Sequence, residues 1–148
     1  MAVIGVVVAA FLAIRRHWIL LSGWVAAFAG AGVLTTVLKN VIQRPRPIGA
    51  DQFLHGESFS FPSGHALGSL IGYGMLAYLL VLPVDRRRQQ LLIVAAAGVL
   101  IVAIGFSRLY LGVHYFSDII GGYAAGLLWL SACISGLEVV RRREPHTT

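Results

Sequence analysis

The sequence predicts an all-α, polytopic transmembrane helix bundle of about five spans, and three observations carry that prediction. Of its 148 residues, 57% are hydrophobic and only 12% are charged, against roughly 25% charged in a soluble domain. The apolar residues fall into five blocks parted by short polar stretches. The arginines gather at block ends, as Arg15 and Arg16, then Arg86, Arg87 and Arg88, then Arg141, Arg142 and Arg143. A net charge of +6 placed in this way is the charge that orients helices in a bilayer, so a nucleic-acid partner is not expected.

The first block, residues 1–14, is shorter than the roughly 17 to 25 residues that span a bilayer. It lacks the basic start of a signal peptide and is followed by Arg15 and Arg16, so it reads as a membrane helix cut short at its start. Residues 18–38 make a second span, in which Gly30 and Gly32 offer close helix contacts. The polar stretch 39–62 contains Pro45, Pro47 and Pro62, which exclude a continuous helix. Residues 66–82 make a third span, closed by Pro83, and residues 91–106 a fourth. Residues 119–140 make the fifth, ahead of a basic end. One domain covers residues 1–143, and 144–148 reads as a loose tail. With the basic clusters on the cytoplasmic side, the stretches around 39–65 and 107–114 share the opposite face. Cys133 is the single cysteine, so an internal disulfide or a cysteine-based metal site is excluded.

Three stretches hold the residues that chemistry would use. The stretch 107–118, SRLYLGVHYFSD, carries Arg108, His114 and Asp118. An arginine can hold a phosphoryl oxygen and a neutral histidine is a competent nucleophile. A carboxylate four residues beyond that histidine lies on the same helical face and can fix its tautomer. The stretch 61–65, FPSGH, opens the third span. There Ser63 is a good N-cap, Gly64 admits a ligand to the backbone, and the first helix amides form an anion site beside His65. The same residues also suit a plain capped helix entering a membrane. The stretch 39–47, KNVIQRPRP, holds Lys39 (the sole lysine), Arg44 and Arg46. Cations here could simply snorkel to headgroups, and Arg44 is expected to do so. Arg108 follows a long apolar run without basic company, which marks it as functional.

Taken together, these groups form an inventory for binding a phosphoryl group and passing it to histidine. A metal site is the rival chemistry, with His55, His65, His114, Asp51, Glu57 and Asp118 as donors. The sequence lacks a metalloprotease-like HExxH spacing, and the nearby cations oppose a divalent ion, so neither metal nor cofactor is expected.

The three stretches resemble the three-part signature of the type-2 phosphatidic acid phosphatase superfamily. That signature is Lys, six residues, Arg-Pro; then Pro-Ser-Gly-His; then Ser-Arg, five residues, His, three residues, Asp. Every defining position is matched in order between Lys39 and Asp118. The superfamily includes membrane lipid phosphatases, soluble acid phosphatases, glucose-6-phosphatases and vanadium haloperoxidases. The resemblance implies that Lys39, Arg46, Ser63, Gly64 and Arg108 bind phosphate. It makes His114 the nucleophile, Asp118 its orienting carboxylate and His65 the general acid. It also implies six spans, one more than this sequence presents, so the expectation is a lost start or a compact member. The expected activity is hydrolysis of a lipid phosphate or diphosphate at the non-cytoplasmic face of the cell membrane. Phosphatidic acid, phosphatidylglycerophosphate and polyprenyl diphosphate are equally open as substrates. A transporter or anion-binding scaffold is the non-enzymatic alternative, which the presence of both histidines disfavours.

Overall fold

A computed structural model describes residues 2–48 and 59–143. They form five helices: α1 (Ala2–Ile14), α2 (Trp18–Ile42), α3 (Gly64–Val81), α4 (Arg87–Tyr110) and α5 (Phe116–Arg143). The last four are long and apolar enough to cross a membrane, whereas α1 has 13 residues and is shorter. The expected tail 144–148, and residues 49–58 of the long polar stretch, lie outside the described residues.

Helix α3 is the centre, packed on α2, α4 and α5. Its Leu67, Ile71 and Met75 meet Trp24 and Ala27 of α2 and Leu130 and Leu137 of α5 in the core. Contact between α3 and α5 depends on glycine. A Cβ added at Gly122 would lie 2.8 Å from the Ser63 carbonyl, which is backbone and cannot swing away. This close approach sets the start of α3 directly against the start of α5. Gly30 likewise makes room for the Trp129 ring, whose Nε1 donates to the Ala27 carbonyl at 3.2 Å. Gly32 has open space around it, which corrects the expectation of a close contact there.

Helix α4 buries only Gly105. Leu91, Leu92, Val94, Val99, Val102 and Phe106 are exposed along it, the surface a helix presents to lipid rather than water. It is tied to α5 by Tyr123, whose hydroxyl donates to the Ile101 carbonyl at 2.6 Å.

Helices α2, α4 and α5 run beyond their apolar blocks. α2 runs past Lys39 to Ile42, and α4 begins at Arg87 and runs to Tyr110, so Arg108 sits in a last helical turn rather than a loop. Interfacial charged residues keep a helical backbone while their side chains leave the apolar zone, so a hydropathy boundary falls inside the helix. At the basic end of the bundle, Arg16, His17, Pro83, Arg141 and Arg142 line one cleft, which gathers all but the Arg86–88 cluster there. The stretch after α2 and the turn between α4 and α5 meet at the other end.

Candidate active site

Asp118 organises this second end. It lies in the first turn of α5 and is completely buried. A buried carboxylate must be paired and hydrogen-bonded, and three donors satisfy it. Arg44 Nη1 donates to Oδ1 at 3.0 Å. The Tyr115 backbone N–H donates to Oδ2 at 2.8 Å, and Ser60 Oγ donates to the same oxygen. The Asp118 carbonyl also accepts from the Ser63 N–H at 3.0 Å. One residue of α5 thus anchors the stretch after α2 and the start of α3.

His114 stands in front of that carboxylate. It precedes α5, so the two do not share a helical face as the four-residue spacing implied. The turn 111–115 brings them together instead, with His114 Nδ1 3.5 Å from Asp118 Oδ2. That separation is longer than a good N–H···O bond. The nitrogen is buried and finds no hydrogen-bond partner among the described residues. Burial first, and the Arg46 guanidinium second, push His114 down from the ordinary histidine value to about 4, against the opposing pull of Asp118. The imidazole is therefore neutral at physiological pH, the state in which it can attack an electrophile.

Arg46 and Lys39 act on the histidine, and Arg108 stands at the same end beside His65. Arg46 donates from Nη1 to the Val113 carbonyl at 2.9 Å, next to His114 in the chain. Lys39, three residues before the end of α2, donates to the Phe59 carbonyl at 2.5 Å. Arg108 Nε donates to Ser107 Oγ at 3.1 Å in the last turn of α4. His65, exposed in the first turn of α3, stands within electrostatic reach of Arg108, Arg46 and Lys39. Ser63 is the N-cap of α3, and its Oγ accepts from the Ala66 N–H at 3.4 Å. The first amides of any helix lack intrahelical partners and point along its positive dipole end. Gly64, the first residue of α3, leaves that end bare of side chain.

The structure thus brings Lys39, Arg46, Ser63, Gly64, His65, Arg108, His114 and Asp118 to one end of the bundle. It also corrects one expectation. Arg44 does not snorkel: its guanidinium lies 4.1 Å from the Tyr115 ring centroid and holds Asp118 and Ser117. Ser60 was missed as well. Its signal was weak, since a serine in a polar stretch has many uses. For the rival metal site, His55, Asp51 and Glu57 lie outside the described residues, and among the described residues no three His, Cys, Asp or Glu side chains group as a metal site.

A helical membrane bundle with these three stretches meeting at one end defines a class, and residues 18–141 match the PAP2 superfamily. The chain belongs to that superfamily and is an integral membrane protein. Among particular proteins, it is similar to phosphatidylglycerophosphatase B of Bacillus subtilis (strain 168), 44% identical over 98 residues covering 65% of this chain and 47% of that one. It is similar to human dolichyldiphosphatase 1, 31% identical over 147 residues covering 93% of this chain and 60% of that protein. The crystal structure of a transmembrane PAP2-type phosphatidylglycerolphosphate phosphatase from Bacillus subtilis superposes with a TM-score of 0.71 at 33% identity, covering 91% of this chain and 73% of that one. The chain spans about half the length of the curated relatives it matches.

Proposed function

We propose that this chain hydrolyses a lipid phosphate or diphosphate without a metal, through a phosphohistidine at His114. The observation that carries the proposal is the neutral, buried His114, backed by a fully buried Asp118 and faced by the cations Arg46 and Lys39, with Arg108 beside His65 at the same end. Those cations and the α3 amides would hold the phosphoryl oxygens. With Nδ1 facing Asp118, Nε2 of His114 attacks phosphorus. The bond to the lipid oxygen breaks, and His65 gives that oxygen its proton. Water then attacks the phosphohistidine, His65 takes the water's proton, and inorganic phosphate leaves as His114 is restored. The carboxylate steadies the positive charge that forms on the imidazole during attack.

Substrate class follows from the setting. The exposed apolar faces of α4 and α5 lie in lipid, so a lipid reaches the site sideways with its headgroup at the interface. The names of the relatives, phosphatidylglycerophosphatase B and dolichyldiphosphatase 1, fall within the same chemistry. Purified protein in detergent should release phosphate from phosphatidic acid, phosphatidylglycerophosphate or a polyprenyl diphosphate. It should do so in excess chelator and be blocked by vanadate, which takes the five-coordinate shape of a phosphoryl group in transfer. Activity lost to chelator and restored by a divalent metal would contradict the proposal.

We also place the site on the non-cytoplasmic face of the cell membrane, because residues of two of the three arginine clusters line a cleft at the other end. With Cys133 replaced, Tyr110→Cys should react with an impermeant thiol reagent on intact cells and Gln89→Cys should not. Equal labelling would remove this topology.

A further inference from the structure

Arg44 and Ser60 lie outside the motif positions of the resemblance, yet both end on the carboxylate behind His114. Ser60 N–H donates to the Arg44 carbonyl at 2.8 Å, so the two residues are joined through their backbones. Their side chains then take one carboxylate oxygen each, Arg44 on Oδ1 and Ser60 on Oδ2 of Asp118. Arg44 is itself fixed, by Ser117 Oγ at 2.6 Å and by the Tyr115 ring beneath its guanidinium. On the other side of the carboxylate, His114 Nδ1 is buried at 3.5 Å from Oδ2 with no hydrogen-bond partner among the described residues.

We infer that Arg44 and Ser60 are positioning residues that clamp Asp118, take up part of its charge, and so set how strongly it holds a proton on His114. The inference rests on the reading of His114 as the nucleophile. A carboxylate already accepting from Arg44, Ser60 and the Tyr115 N–H is a weaker acceptor for a fourth donor. The resting imidazole then stays neutral, with Nε2 free to attack. When attack places positive charge on the ring, Nδ1–H strengthens its pull toward Oδ2, and a clamped carboxylate is already in place to receive it.

Charge around His114 fixes the sign of the effect. Lys39 and Arg46 face it from α2 and its extension and disfavour the imidazolium, and Asp118 of α5 favours it. Arg108 of α4 is joined to the same turn, its carbonyl accepting from the Val113 N–H at 3.3 Å. His65 of α3 lies within electrostatic reach of the same cations, Arg108, Arg46 and Lys39. Removing Arg44 takes away a cation and frees the negative charge of Asp118, and both changes push His114 toward its protonated form. Arg44→Ala should therefore raise the histidine's pKa and deplete the nucleophile.

Full-length Arg44→Ala, Arg44→Lys and Ser60→Ala, purified in detergent beside wild type and Arg46→Ala, test this. Three quantities are read: kcat on a lipid phosphate, inhibition by inorganic phosphate, and the His114 titration by NMR of labelled histidine. In Arg44→Ala, kcat should fall about 10- to 100-fold, as for loss of a partner that orients a functional group. Affinity for inorganic phosphate should change less than about threefold, because the residue does not bind phosphate. His114 should titrate about one unit higher than in wild type. Arg44→Lys should recover part of kcat, and Ser60→Ala should move the titration the same way by less.

An unmoved His114 titration, with kcat falling only as the folded fraction falls, would make the clamp a structural tie and overturn the inference. A defect in phosphate affinity as large as that of Arg46→Ala would make Arg44 a phosphate ligand instead. The histidine titration reads the clamp even if wild type turns over no lipid phosphate, so the two readings fail separately.

Discussion

Two arginine–carboxylate pairs stand at opposite ends of the bundle with almost the same geometry. Arg44 meets Asp118 at 3.0 Å, and Arg141 meets Glu138 at 2.9 Å. Their arginine side chains are alike in exposure, 35% and 38%. The carboxylates differ: Asp118 is 0% exposed and Glu138 is 35% exposed. Water and salt can substitute for Arg141 at Glu138, so that pair contributes little. At Asp118 no water replaces the protein donors, and losing a partner leaves buried charge uncompensated. Distance therefore says little about what an ion pair does, and the burial of the acid says most. One pair sits among orienting charges at the basic end, while the other backs the candidate nucleophile.

Substitution at each carboxylate measures that contrast. Asp118→Asn should have the largest effect, a loss of about 10,000-fold in kcat with phosphate still bound, because an amide can present the wrong group to Nδ1 and leave the wrong tautomer. Wild-type turnover in this variant would reduce Asp118 to a helix cap. The Arg44→Ala effect should fall between the two carboxylate variants. Glu138→Gln should be the smallest, with kcat and melting temperature matching wild type, since the Tyr78 hydroxyl, 2.6 Å from Glu138 Oε1, can still donate to an amide oxygen. A loss of kcat there comparable to that of Asp118→Asn would erase the contrast between the ends.

The five helices were legible because apolar blocks and arginine clusters follow from the bilayer itself. Their ends were less so, since Lys39, Arg87 and Arg108 continue helices beyond the apolar blocks. The eight motif residues were singled out because their types and spacing resemble a three-part family signature, and residue by residue each also had a plain structural use. The contact between His114 and Asp118 was expected from a helical register and arises from a turn. Arg44 was readable in principle. A residue before proline is held extended, so Pro45 and Pro47 dispose Arg44 and Arg46 to extended backbone, where side chains two apart share a side. Both in fact reach the segment 113–118. Ser60 lay beyond such reasoning, because its role depends on a backbone bond to Arg44 that only the fold reveals.

The central claim is that His114 carries the phosphoryl group while His65 handles protons, and trapping the intermediate tests it most directly. An aryl phosphate with a good leaving group needs no acid in the first step, though water still needs a base in the second. Given a labelled substrate of this kind, His65→Ala should phosphorylate itself and stall, with label on His114 that is acid-labile and base-stable. His114→Ala should take up none. Label retained in His114→Ala, or found on another residue in His65→Ala, would contradict the account.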